Sequence, residues 1–326
     1  MKIAVDAFGG DNAPLAPIKG AALAVKEYGV NVTLVGYEEE ILKVAKENEI
    51  SLEGIEIFNA DDVIEIEDDP TSILKAKKGC SMAKALELTA NGECDAVVSA
   101  GSTGALVVGG TFIVKRIRGI KRCALAAIIP SKKQNFMLLD VGANTEVKPE
   151  YLAQFGIMSS VYMENVMGVK KPRVALLNIG TEDCKGTETH IEGYKLLKES
   201  GINFIGNIEG REIMSGDADC IVTDGFSGNV ALKTIEGVAS TFFSMIKKVM
   251  YKTIVTKVCA LGLKKGLYEI KNKMDYSAIG GAPLLGTKKP VFKAHGSSNE
   301  IAFKNAINNA AMFAKNKVIE QIEGKL

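Results

Sequence analysis

The chain has 326 residues, 47% hydrophobic and 24% charged, so it can bury the core of one large domain or of two closely packed ones. Its formal net charge of +1 gives no sign of nucleic-acid binding. We expect neither a signal peptide nor a membrane-spanning helix, because the sequence shows no basic start before an apolar run and no stretch of about 18 apolar residues.

Nine short apolar runs predict β-strands, because each is too short for a helix and is bounded by Gly, Asn, Asp or Pro. In chain order they are KIAVDA, NVTLVG, IEIFNA, DAVVSA, ALAAIIP, FMLLDVG, RVALLNIG, FIGNI and ADCIVTDG. Helical patterns lie between many of them, for example over residues 17–28, 38–48 and 80–91. This alternation indicates an α/β fold whose largely parallel sheet is covered by helices on both faces.

Five of the predicted strands run into glycine-rich polar loops. These loops read DAFGGDNAP, SAGSTGA, DVGANTE, NIGTEDCKG and TDGFSGN. Ligands of open parallel sheets bind at the carboxyl ends of the strands, and the helix N-termini that follow such loops suit anions. We therefore expect the five loops to form one composite site, although strand-to-helix turns also need Gly and Asn for structural reasons alone.

The loop SAGSTGA places Ser102 and Thr103 where a helix should begin, so their hydroxyl and N–H groups could hold a phosphate. A capped helix after a tight turn explains the same residues equally well. The loop is not a P-loop, since no G-K-[ST] follows, and no G-x-G-x-x-G occurs in the chain. The missing dinucleotide fingerprint weakens an interpretation as an NAD enzyme.

The loop NIGTEDCKG offers Asn178 and Lys185 as donors, with Glu182 nearby. Lys185 could neutralise an anion and Asn178 could stabilise an oxyanion, whereas the structural alternative is an ordinary solvated loop. We interpret Cys184 as an incidental thiol. The six cysteines show no C-x-x-C spacing, which predicts reduced, mostly buried thiols of a cytoplasmic protein and neither disulfides nor a zinc site.

The segment KAHGSSN contains His295, one of only two histidines, directly before a predicted helix. Histidine is the natural acid–base group near neutral pH, although a lone histidine is more often a hydrogen-bonding fixture. In TDGFSGN, Asp224 and Asn229 could orient groups in a site or cap a helix, and capping is the simpler interpretation. No H-E-x-x-H, carboxylate-rich metal motif or G-x-S-x-G occurs, which disfavours metal and serine hydrolysis. The residues fit anion binding beside a polarised carbonyl.

After about Thr223 the pattern becomes helical, and we expect a break near Gly262 and Gly266. From Ser240 to Lys273 apolar residues recur at steps of three and four beside eight lysines, giving an apolar stripe next to a basic face. One interpretation is a dimer or core helix with a solvated lysine face. The other is an exposed helical hairpin over residues 238–274 that touches anionic membrane. The predicted membrane contacts are Ile254, Val258, Leu261 and Leu263.

Taken together, several motifs resemble those of the phosphate acyltransferases of bacterial phospholipid synthesis. In chain order they are DAFGGDNAP, AGSTGA, LLNIGTEDCKG, TDGFSGN, GGAPLLG and AHGSSN. The resemblance spans essentially the whole chain. It implies one domain over residues 1–326 with a three-layer α/β/α fold like that of phosphate acetyltransferases and isocitrate dehydrogenases, plus the projecting hairpin.

The resemblance also implies an activity: transfer of a long acyl chain from acyl-carrier protein to inorganic phosphate, with no metal or cofactor. A membrane acyltransferase would take up the acyl phosphate. The protein would be a cytoplasmic homodimer associated peripherally with the inner face of an anionic membrane, and it would bind no nucleic acid. The catalytic candidates are His295, Lys185 and Asn178. The candidates for substrate and phosphate binding are Gly101, Ser102, Thr103, Gly104, Asn144, Gly180, Glu182, Asp224, Asn229 and Ser297.

The sequence departs from this family in its first loop, where Phe8 and Asn12 stand in place of Met and His. That position therefore cannot supply an acid–base group here. We expect Ser102, Thr103 and Lys185 to hold phosphate, Asn178 or a backbone N–H to stabilise the oxyanion, and His295 to move a proton or bind phosphate. Three rivals remain: a transferase for short acyl-CoA, an NAD-dependent dehydrogenase of similar fold, and a non-catalytic membrane scaffold.

Overall fold

The computed structural model describes residues 1–274 and 280–325, over which it has eleven strands and ten α-helices. The strands are β1 (Lys2–Asp6), β2 (Asn31–Gly36), β3 (Ile55–Asn59), β4 (Ala96–Ser99), β5 (Ala124–Ile129), β6 (Phe136–Leu139), β7 (Val174–Asn178), β8 (Phe204–Glu209), β9 (Cys220–Val222), β10 (Ala282–Leu285) and β11 (Val291–Lys293). The helices are α1 (Leu15–Tyr28), α2 (Glu38–Glu47), α3 (Ser81–Ala90), α4 (Thr103–Gly109), α5 (Pro149–Asn165), α6 (Glu188–Glu199), α7 (Gly225–Met250), α8 (Ile254–Met274), α9 (Glu300–Lys315) and α10 (Val318–Glu323).

One sheet contains all of these strands, in the order β3-β2-β1-β4-β11-β10-β5-β6-β9-β7-β8. Neighbours pair in parallel except at β11–β10, β10–β5 and β5–β6. The prediction of a mostly parallel sheet is therefore confirmed. Because of the three antiparallel pairs, the strands run in two directions. Strands β1 to β5 and β11 run one way, whereas β6 to β10 run the other way.

Helices cover both faces of the sheet, which confirms the α/β/α layering. One core cluster packs α1, α2, α5, α6, α9 and α10 against one face, and the second packs α3, α4 and α7 against the other. The central strand β5 is buried at all six positions. Its alternating side chains serve both clusters, since Ala126 and Ile128 belong to the first and Leu125 and Ala127 to the second.

The cysteines are free thiols, as predicted, and four of the six are buried. Burial raises the pKa of Cys80 to about 11 and of Cys220 to about 12, so these thiols stay protonated at neutral pH. Cys184 and Cys259 are exposed.

Helices α7 and α8 form a hairpin joined by a short turn at residues 251–253. The expected break near Gly262 and Gly266 is wrong, because α8 runs through both glycines. A glycine inside a helix costs only about 0.5–1 kcal/mol relative to alanine, which does not force a break. Since the helix ends at the turn instead, the predicted continuous apolar stripe is divided: Phe243 and Ile246 on α7 are half-buried, whereas Ile254, Val258 and Leu261 on α8 are exposed.

Candidate active site

The five glycine-rich loops lie at two opposite edges of the sheet within one chain. Because β1, β4 and β11 run opposite to β6, β7 and β9, their carboxyl ends open at opposite edges. The first edge carries DAFGGDNAP and SAGSTGA, together with the His295 segment KAHGSSN, and the second carries DVGANTE, NIGTEDCKG and TDGFSGN. Of the five loops, SAGSTGA, DVGANTE and TDGFSGN still line one cavity over the sheet, through Thr103, Gly142 and Asn229, whereas DAFGGDNAP and NIGTEDCKG do not line it.

The three loops of the first edge are held tightly together. The N–H of Asp11 donates to the carbonyl of Gly296 at 2.8 Å, and the Asn12 amide donates to the carbonyls of Ser297 and Ser298 at 3.2 Å. Gly10 has a φ of +99°, and a Cβ there would lie 2.9 Å from the Gly296 oxygen. Asn12 thus ties the first loop to the His295 loop.

A buried carboxyl group, Asp6, lies beneath these loops. It accepts hydrogen bonds from the hydroxyl groups of Ser81 and Ser99, each at 2.6 Å. Burial raises the pKa of Asp6, and the nearby charge of Lys293 partly offsets this rise. Asp6 therefore fixes the end of β1 against β4, and its proximity raises the pKa of Lys293.

Lys293 is the most important site residue that the sequence analysis missed. Its side chain is only 9% exposed, and its Nζ donates to the carbonyls of Ala100 at 3.0 Å and Ala294 at 2.5 Å. An ammonium group has three N–H donors, so one remains. Burial lowers the pKa of Lys293 to about 8, although Asp6 and Asp11 act in the opposite direction. The group is thus mostly protonated at pH 7, with a free donor beside a cavity that it lines.

His295 is half-buried and lines the same cavity. Its Nδ1 accepts from the N–H of Ser297 at 3.2 Å and lies 2.8 Å from the Ser297 hydroxyl. Burial, together with the charge of Lys233, holds the pKa of His295 below its ordinary value. The ring is therefore neutral at pH 7, and because Nδ1 accepts, its proton lies on Nε2.

Helix α4 begins at the same cavity. Ser102 caps the helix, its Oγ accepting from the N–H of Ala105 at 3.4 Å, and Thr103 lines the cavity. The glycines on either side have packing roles: a Cβ on Gly101 would lie 2.7 Å from Met82, and one on Gly104 would lie 2.8 Å from Pro70. The structure therefore places Thr103 at the cavity, whereas Ser102 caps the helix, and Gly101 and Gly104 have steric explanations.

The cavity lies between α7 and the sheet and has a volume of about 350 Å³. This volume is within the range of ligand sites, roughly 300–1,000 Å³. Thr103, Lys293, His295 and Ser298 make one end polar. The floor of the body is apolar strand residues, whereas its roof on α7 combines Leu232 with Asn229, Lys233 and Glu236. The lining residues are Thr103, Leu125, Ala127, Ile128, Val141, Gly142, Asn229, Leu232, Lys233, Glu236, Gly281, Ala282, Lys293, His295, Gly296 and Ser298.

At the second edge, the loop after β6 anchors the start of α7. Asp140 is buried and accepts from the backbone and side-chain amides of Asn144, and the Asn144 carbonyl accepts from the N–H of Gly225 at 2.7 Å. Asp224 caps α7 by accepting from the N–H of Ser227 at 2.8 Å. Asn144 and Asp224 thus fix α7 in place, whereas Asn229, one turn further, reaches the cavity.

The loop after β7 lies outside the cavity. Asn178 closes this loop, since its amide donates to the carbonyl of Lys185 at 3.0 Å and its oxygen accepts from the N–H of Ile179 at 2.8 Å. Lys185 and Glu182 are exposed, and the Lys185 Nζ lies 4.0 Å from the Glu182 Oε1. Gly180 packs beside both side chains. Within the chain, the structure does not bring these four residues together with Thr103, Lys293 and His295.

Two further observations concern the part of the chain that the structure describes. None of its helices combines the length and hydropathy that crossing a membrane requires. No three His, Cys, Asp or Glu side chains there cluster in a way that could hold a metal ion.

Comparison with known proteins gives consistent matches over the full length. A model of the family described as fatty acid synthesis protein matches residues 1–321. A phosphate acyltransferase from Clostridium acetobutylicum is 48% identical over 327 residues, covering 100% of this chain and 99% of that protein.

Solved structures match in fold. A phosphotransacetylase from Streptococcus pyogenes has a TM-score of 0.63 at 18% identity, covering 97% of this chain and 94% of its own. A 4-hydroxythreonine-4-phosphate dehydrogenase from Klebsiella pneumoniae has a TM-score of 0.55 at 12% identity, covering 96% and 99%. The predicted likeness to phosphate acetyltransferases and to dehydrogenases of related fold is confirmed.

Proposed function

The chain belongs to the phosphate acyltransferase family of fatty acid synthesis proteins, and we propose that it transfers a long-chain acyl group from acyl-carrier protein to inorganic phosphate in the cavity beneath α7. It is thus an acyltransferase of lipid biosynthesis. The observation that carries the location is the two-part cavity: cationic and neutral donors stand at one end, and apolar side chains form the floor of the body. An anion and an acyl chain need these two environments side by side.

We assign the phosphate to the polar end. Lys293 supplies a buried positive charge with one free N–H, and Thr103 supplies a hydroxyl at the start of α4, where unpaired N–H groups favour anions. Ser102 and Ser297 act mainly by holding Thr103 and His295 in place. The low exposure of Lys293 makes its interaction with an anion stronger than that of a surface lysine.

The reaction needs little more than positioning and polar donors. A phosphate oxygen attacks the thioester carbonyl carbon, the carbonyl oxygen becomes an oxyanion, and the carbon–sulfur bond then breaks to give acyl phosphate and a thiolate. The Nε2–H group of neutral His295 donates a hydrogen bond to the oxyanion or to the departing sulfur. A thiol has a pKa of about 8.5, so the thiolate leaves without a strong acid.

The catalytic roles predicted for Asn178 and Lys185 stay predictions, with less support than the role of Lys293. The Asn178 amide is engaged in closing its own loop, and Lys185 pairs loosely with Glu182 on the surface. We therefore place the main phosphate charge on Lys293 rather than on Lys185.

We further propose that α8 contacts an anionic membrane surface from the cytoplasmic side. Ile254, Val258 and Leu261 are 81%, 63% and 71% exposed and lie within about 60° of one another around the helix, at 100° per residue. Leu263 points about 180° away from Ile254, so we no longer assign it to the same contact. Membrane contact would let the amphiphilic product pass to a downstream membrane acyltransferase.

The deciding experiment measures product from palmitoyl-carrier protein with and without phosphate, trapping acyl phosphate with hydroxylamine. Phosphate-dependent thiol release with an equal amount of trapped product is the expected result. Thiol release that does not need phosphate would instead identify a thioesterase. Turnover of acetyl- or butyryl-CoA but not of the palmitoyl donor would identify a short-chain transferase.

A further inference from the structure

We propose that the body of the cavity beneath α7 is the binding site for the acyl chain of the donor, and that Ala127 and Leu232 set the chain length that it accepts. This inference rests on the proposed function. It adds the place of the chain and the residues that determine specificity, which are independent of how the phosphate is held.

The direction of the chain follows from the position of the reacting group. At the polar end, His295 and Gly296 are half-buried and Ser297 is exposed, so the donor can enter there. Away from this end the cavity floor is buried, since Leu125 and Val141 are 6% and 5% exposed. The thioester carbonyl must stay beside His295 for transfer, so the chain extends inward from the entrance.

The geometry also limits how much chain fits. The floor from Leu125 to Ile128 spans about 10 Å at about 3.3 Å per strand residue. The roof from Asn229 to Glu236 spans about 10 Å at about 1.5 Å per helix residue. Gly142 and Asn229 line the far end, where both are exposed, so the enclosed part of the cavity ends there.

Longer chains need the space behind Leu232. A small, mostly apolar cavity lies there, and Leu232 and Glu236 form part of the walls of both cavities. Its other lining residues are Ile129, Pro130, Met214, Ile235 and Ala239. Leu232 is 9% exposed, so its side chain forms a partition whose removal would join the two spaces.

Two substitutions with opposite expected effects test the assignment. Ala127→Leu adds three carbons to the floor and so displaces part of a bound chain. Each buried methylene of the chain contributes about fourfold to binding. The ratio of kcat/KM for a 16-carbon donor to kcat/KM for an 8-carbon donor should therefore fall at least tenfold. Leu232→Ala should raise the same ratio at least threefold. Leu284→Ala is the matched control, because Leu284 is also buried, at 2% exposed, in the same core cluster but does not line the cavity.

A ratio that is unchanged in both cavity variants, or changed equally in Leu284→Ala, would overturn the proposal. A second readout does not require turnover: a carrier protein bearing a chain with a terminal diazirine is irradiated on the wild-type protein. Labelling within residues 125–142 or 229–239 supports the site, and labelling confined to α8 overturns it. Failure of the proposed function would be distinguishable from these results. In that case the wild-type protein would form no phosphate-dependent product with any donor.

Discussion

At the scale of single residues, Lys293 combines two properties that rarely occur together. It is buried at the end of β11 yet carries a charge at pH 7, and its bonds to two backbone carbonyls leave one donor for a ligand. Asp6, held by Ser81 and Ser99 beneath the loops, raises the pKa of Lys293 and so favours its protonated form. A buried cation of this kind costs free energy in the empty protein and becomes favourable when an anion binds.

The assignment of phosphate to Lys293 predicts a clear difference between two lysines. Lys293→Met should raise KM for phosphate about 10- to 100-fold, because a hydrogen bond to a charged group contributes about 1.5–3 kcal/mol. Lys185→Met, the matched control, should leave this KM within about twofold. His295→Ala should lower kcat more than it raises KM. If Lys185→Met raised KM for phosphate and Lys293→Met did not, phosphate would instead bind at the loop after β7.

The lowered pKa also fixes a pH dependence. Lys293 loses its charge as pH rises through about 8, so KM for phosphate should increase above that pH in the wild-type protein. Lys293→Arg keeps its charge at all these pH values, and its KM should rise less between pH 7 and 9. The titration of phosphate itself is common to both proteins and cancels in the comparison. Identical profiles would exclude Lys293 as the titrating group.

At the scale of elements, α7 has a role at each of its ends. Asp224 and the Asn144 loop fix its first turn, where a Cβ on Gly228 would lie only 1.9 Å from the Asp140 oxygen. Its middle part, through Leu232, roofs the cavity. Its last turns leave the domain and form the hairpin with α8. One helix therefore connects the candidate active site to the proposed membrane contact.

The two faces of α8 give a matched test of that contact. Leu261→Glu should reduce flotation with liposomes that contain anionic lipid, because it places a charge in the middle of the outward apolar face. Leu263→Glu is the control, since Leu263 is also exposed, at 61%, but lies on a different face. Equal loss of binding in both variants, or no binding by the wild-type protein, would contradict the proposed orientation.

At the scale of the whole molecule, the reversal of direction across the sheet separates the two sets of loops. The antiparallel pairs around β10 and β5 connect two parallel halves, and the cavity lies over this junction. Outside the cavity, α7 presents four exposed apolar residues along one side, at steps of three and four. They are Val238, Phe242, Met245 and Val249.

We propose that this stripe is covered by a second copy of the chain in the predicted homodimer. Light scattering after gel filtration should give the mass of two chains for the wild-type protein and of one chain for Phe242→Glu, because a buried unpaired charge is strongly unfavourable. Phe226→Glu is the control: Phe226 is equally exposed on α7 but lies off the stripe. A wild-type monomer would refute the dimer, and dissociation by both variants would place the interface elsewhere.

The amino-acid sequence alone determined nine of the eleven described strands, β1 to β9, and the covering of the sheet by helices on both faces, because periodicity and turn chemistry are local properties. Only the tertiary structure decided where the sheet reverses direction. The reversal lies at the antiparallel pair β5–β6, and β5 is joined to the first half of the sheet by β10 and β11, two strands of four and three residues that pair with strands distant in sequence. For this reason the six loops divide between two edges. The burial of Lys293 was likewise invisible in the sequence, because a lysine next to a strand is normally exposed and here only the surrounding loops of β1 and β4 remove it from water.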